Sequence, residues 1–147
     1  MRYIISQKYK MINITFEEEE LKELIPAQEE VCALFQREMQ ELIDEYGEDV
    51  KKEEHKHYRT YIRRMHDIRD GEDVLNNLKS GGFLESRITD YWHSDMQYWV
   101  IRRITEGLKD KIINTIKTVI ENELSYLYTD EERTKLLTTL DIYRKNF

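Results

Sequence analysis

A chain of 147 residues that is 36% charged, 39% apolar and 11% aromatic carries too much core-forming material to be a disordered polymer. Five glycines and one proline leave few breaks, so long uninterrupted helices are expected, and the lone Cys32 excludes an internal disulfide and a cysteine-based zinc site. The formal net charge of −7 argues against general affinity for nucleic acid, and the lack of any run of about 18 apolar residues or a leader-like N-terminus predicts a cytoplasmic protein with no membrane span.

Residues 1–16 alternate at Ile12, Ile14 and Phe16 and favour β-branched and aromatic types, the pattern of a strand. With one such run, the expectation is a short extended segment that lies as an arm or pairs with a second copy. Thr15 and Glu18 form a capping-box pattern that opens a short acidic helix, which Pro26 interrupts. From Ala27 to Tyr46, the residues Val31, Cys32, Phe35, Met39, Leu42, Ile43 and Tyr46 share one side of a 3.6-residue wheel. Glu29, Glu30, Glu38, Glu41, Asp44 and Glu45 share the other. Gly47 supplies the stop. The next helix, over about 48–69, places Tyr58, Tyr61, Ile62, Met65 and Ile68 inward and ends at Gly71. So short a turn makes the pair antiparallel.

In the stretch GEDVLNNLKSGGF, a short helical piece ends at Gly81 and Gly82, and residues 80–82 form the one expected hinge in a single helical domain. Beyond it the pattern predicts one long helix, or two in line with Gly107 as the weak point. Ile104, Leu108, Ile112, Ile116, Ile120 and Leu124 recur every four residues, a row that turns about 40° per step and so meets several neighbours in succession. Thr129 and Glu132 form a second capping box, opening a last helix to about Tyr143 with Leu136, Leu137 and Leu140 inward. The expected fold is therefore all-α, a compact bundle of about five helices with a short extended N-terminal segment.

The stretch EEHKHYRTYIRRMHDIRD holds three histidines and a basic run. On a helix, His55 and His66 stand about 16 Å apart along the axis and His57 lies on another side, so no metal site and no cofactor is expected. Lys56, Arg59, Arg63 and Arg64, interleaved with Tyr58 and Tyr61, allow a nucleic-acid-binding reading. A neighbouring acidic segment offers a different explanation, because residues 17–54 hold four basic residues against fifteen acidic ones.

Two short patterns raise an enzymatic alternative. ELKE provides Glu20 and Glu23, ELID provides Glu41 and Asp44, and the pairs resemble the Glu-x-x-Glu and Glu-x-x-Asp magnesium-binding pairs on neighbouring helices of MazG-type nucleotide pyrophosphohydrolases. That resemblance implies metal-dependent nucleotide hydrolysis. Elsewhere no catalytic residues are assigned, since His93 and Asp95 lack a nucleophile beside them and no glycine-rich phosphate loop exists. The preferred reading is non-catalytic protein binding by a small acidic accessory protein of bacterial or phage origin, such as an inhibitor, immunity protein, antitoxin or regulator. Its expected contacts are the acidic side, Glu29, Glu30, Glu38, Glu41, Asp44 and Glu45, which suits a basic nucleic-acid-handling partner, and the aromatics Trp92, Tyr98 and Trp99. The aromatic cluster or the N-terminal segment is the expected route to a homo-oligomer.

Overall fold

The computed structural model describes residues 2–6, 11–87, 104–123 and 128–146. The helical reading holds, with four α-helices among the described residues where about five were expected. These are α1 (Glu18–Tyr46), α2 (Tyr58–Gly81), α3 (Glu106–Thr118) and α4 (Asp130–Asn146).

The N-terminal segment is not a lone arm. It forms two strands, β1 (Arg2–Ser6) and β2 (Met11–Thr15), and β2 pairs on its other side with β3 (Phe83–Arg87) in an antiparallel sheet ordered β1-β2-β3. Ile14 stands opposite Leu84 in the register. Alternation sends Ile12 and Ile14 to one face, where both are fully buried. The sharp entry into β3 is made by Gly82, whose φ of 65° caps α2 in the left-handed region. Its carbonyl accepts from the Phe16 N–H at 2.9 Å, joining the strand ends.

Pro26 does not divide α1. The residue is exposed, so the Lys22 carbonyl left without a helical donor can turn to water, and the helix continues for 29 residues, about 43 Å. Its start differs from the expected Thr15 and Glu18 box, because Thr15 belongs to β2 and the Glu17 N–H donates to the Glu20 carboxylate at 2.9 Å. Gly71 also differs: it lies inside α2 and allows close approach to α1. Ordinary Met65 packing fails for the same reason. The side of α2 that meets α1 runs through Asp67, Gly71 and Leu78, leaving Met65 47% exposed.

The main core gathers Ile12, Ile14, Leu84, Leu24 and Leu78 with the four-residue row Ile104, Leu108, Ile112, Ile116 and Ile120, and with Leu136 and Leu140 of α4. A π turn at Val119–Glu123 continues α3. Its wider winding offsets the drift that a four-residue repeat accumulates on an α-helix, which keeps Ile116 and Ile120 together. The second capping box forms as expected, with Thr129 N–H donating to Glu132 at 3.0 Å and Glu132 N–H to Thr129 Oγ1 at 3.1 Å. Among the described residues, no helix is long and apolar enough to cross a membrane.

Candidate functional site

Helices α1 and α2 form an antiparallel hairpin whose two ends are held differently. At the base, Leu24, Ala27 and Leu78 belong to the main core. At the far end a separate small core of Met39, Leu42 and Val50 is covered by Ile43, Tyr46, Tyr61 and Ile68, all from the hairpin itself. Among the described residues, the far half is thus an arm with one internal seam.

The acidic side of α1 divides into two groups. Glu38 binds Arg64 of α2 at 3.2 Å, with each side chain about one-third exposed (31% and 33%), and Glu29 reaches Lys79 at 3.7 Å. These pairs run between the helices, as complementarity of the acidic and basic segments predicts. Glu30, Glu41, Asp44 and Glu45 are exposed, and Asp44 accepts from Gln40 at 2.8 Å within its own helix. The last three lie at the C-terminal end of α1, whose final turn has no basic residue. Beyond them, Glu48 and Asp49 are matched locally by Lys51 at 2.6 Å and Lys52 at 3.0 Å, and Lys52 holds the Asp49 carboxyl below its ordinary range through their hydrogen bond.

Of the basic residues, Arg64 faces α1 and is engaged by Glu38. Lys56, Arg59 and Arg63 are exposed and make no ion pair among the described residues. The histidines differ from their expected places, because α2 begins at Tyr58 and the chain before it is a turn. There the His57 ring stacks on Tyr46 with ring centres 4.0 Å apart, and the His57 backbone N–H donates to His55 Nδ1 at 3.0 Å. Among the described residues no three His, Cys, Asp or Glu side chains are grouped to hold a metal ion. Cys32 is half-buried beside Gly71, and burial followed by the Glu72 charge pushes its thiol up.

The pairs that resemble magnesium ligands lie on one continuous helix. Glu23 and Glu41 are separated by about 27 Å along α1, so they cannot share an ion within one chain. Each member of the first pair has a structural task. Glu20 caps α1 and lies 3.8 Å from Lys111, while Glu23 accepts from the backbone and hydroxyl of Thr105, the N-cap of α3. Sequence reasoning missed this link, although the N-cap signal of Thr105 three residues before Leu108 was available. Glu19, Glu20, Glu23, Thr105 and Lys111 line an open groove of about 320 Å³ between α1 and α3. Trp92, Tyr98 and Trp99 lie outside the described residues. Compared with family models, curated proteins and solved structures, the chain matches none.

Proposed function

We propose that the chain is a non-catalytic binding protein and that the exposed acids at the far end of α1, Glu41, Asp44 and Glu45, dock a basic partner protein. One observation carries the reading: these acids stand where local energetics disfavour them. A helix C-terminus carries partial negative charge, which disfavours Asp44 and Glu45 in the last turn of α1 by about 0.3–1 kcal/mol each, while Glu41 and Glu45 repel one another at i,i+4 spacing. Local conflicts of this kind are expected where a surface serves function rather than folding. An acidic surface also speeds encounter with proteins that handle nucleic acid, because carboxylates take the positions that phosphates otherwise occupy. An inhibitor, immunity protein, antitoxin or phage regulator acting in the cytoplasm fits this description.

The test is capture from the native host at low salt, read by mass spectrometry, with wild type beside the Glu41→Lys, Asp44→Lys, Glu45→Lys variant. Loss of a basic protein from the variant alone supports the reading. Equal capture by both would move the interface away from this surface.

A further inference from the structure

The hairpin carries two stripes of opposite charge on one face. On α1, Leu34, Glu38, Glu41 and Glu45 are spaced four, three and four residues apart, the repeat that keeps side chains on one flank of a helix. On α2, Arg59 and Arg63 stand one turn apart, with Lys56 just before the helix begins. Both helices are right-handed and run in opposite directions, so the flank of α2 that holds Arg59 and Arg63 faces the same way as the acidic flank of α1.

The levels also match. The Arg64–Glu38 bond sets the register of the hairpin. Counting from it along antiparallel helices, Arg63 is level with Met39 and Arg59 with Ile43, which places each arginine between successive acids of the α1 stripe, Glu38, Glu41 and Glu45. Within one chain the stripes lie side by side, and Glu41, Glu45, Arg59 and Arg63 make no ion pairs among the described residues.

We propose that this face docks a second copy of the chain. A two-fold axis parallel to the hairpin lays α1 of each copy over α2 of the other, which sets the acids of one copy against the arginines of its partner at the same level. The relation is reciprocal, as an isologous interface requires. It converts two two-helix arms into an antiparallel four-helix bundle, covers the half-buried Leu34 and gives each arm a second packing seam. The inference rests on the acidic end as a docking surface and names one occupant for it.

Sedimentation equilibrium of the whole chain tests it. At low salt the wild type is expected at the mass of two chains, falling about twofold toward one chain in about 1 M salt, where screening acts over about 3 Å. Glu41→Lys with Glu45→Lys, and separately Arg59→Glu with Arg63→Glu, should each give single chains, and an equimolar mixture of the two variants should restore the double mass. The neutral pair Arg59→Gln and Arg63→Gln should weaken association without introducing repulsion. A wild type that stays single at low salt, or a mixture that fails to recover, overturns the proposal. A single-chain wild type whose capture of a host protein still depends on Glu41 and Glu45 would overturn self-association alone, whereas a dimer with unaltered capture would overturn docking of a basic host protein alone.

Discussion

The side-chain amide of Gln28 donates to the backbone carbonyl of Gly71 at 2.9 Å, across a close approach of α1 and α2. Gln28 is fully buried, and the bond exists because Gly71 keeps nothing between the helices. A Cβ there would lie 3.1 Å from Phe35 Cδ2 and 3.6 Å from Cys32 Sγ. Gly71→Leu should therefore overpack the seam and cost about 1–3 kcal/mol, read as a lower urea midpoint at unchanged slope. Gly107→Ala is the control: among the described residues nothing lies within 4 Å of the added methyl, so the helical preference of alanine should add up to about 1 kcal/mol.

Pro26 offers a second test of helix continuity. Alanine at that position restores the bond to the Lys22 carbonyl and removes the ring clash, an advantage of about 3 kcal/mol in a helix interior, partly offset by about 0.4–1 kcal/mol of unfolded-chain freedom. Pro26→Ala should raise stability by about 1–3 kcal/mol. No gain in the denaturation midpoint would mean that α1 breaks at Pro26 in solution.

What the chain's pattern could and could not convey follows from which contacts are local. Ile12, Ile14 and Phe16, and the row from Val31 to Leu42, each face one apolar surface, so period alone placed them correctly. The third strand was hidden because Phe83–Arg87 has only two apolar residues and gains its identity from pairing with a strand some seventy residues earlier. Met65 is apolar and shares the inward period, yet close helix packing selects Gly71 in its place, a choice that hydrophobicity cannot signal. The acidic surface was legible as composition. Which acids α2 engages depends on the hairpin register, which no single helix records.

The α3–α4 contact should be sensitive to acid. Arg144 binds Asp110 at 2.6 Å and also Glu106, and its hydrogen bond to Glu106, followed by that of Lys109, holds the Glu106 carboxyl below its ordinary value. A folded-state pKa below the unfolded one contributes stability that is complete above the unfolded value and is lost as pH falls through the folded value. Stability should therefore decline on acidification through the carboxylate range. Arg144→Gln should start lower at neutral pH and show a shallower decline, and parallel pH profiles for the two proteins would show that the pair contributes nothing.

Reversing Glu41, Asp44 and Glu45 to lysine should separate folding from binding. Lysine at a helix C-terminus gains about 0.3–1 kcal/mol from the helix dipole, which offsets the weak attraction to Arg59 and Arg63 that reversal removes, about 0–1 kcal/mol for exposed charges. At a dilution where both proteins are single chains, the melting temperature should stay near that of wild type. Glu38→Lys should behave differently, because it places a cation against Arg64, whose Nε is buried and makes no hydrogen bond; removal of one partner from a part-buried charged pair leaves the other poorly compensated. In binding kinetics the triple reversal should slow association and flatten its salt dependence while leaving dissociation nearly unchanged, the behaviour of charges at an interface rim. A faster dissociation rate would place these acids inside the interface instead. A triple reversal that destabilises the single chain as much as Glu38→Lys would mean that the three acids serve the fold, and the docking assignment would be wrong.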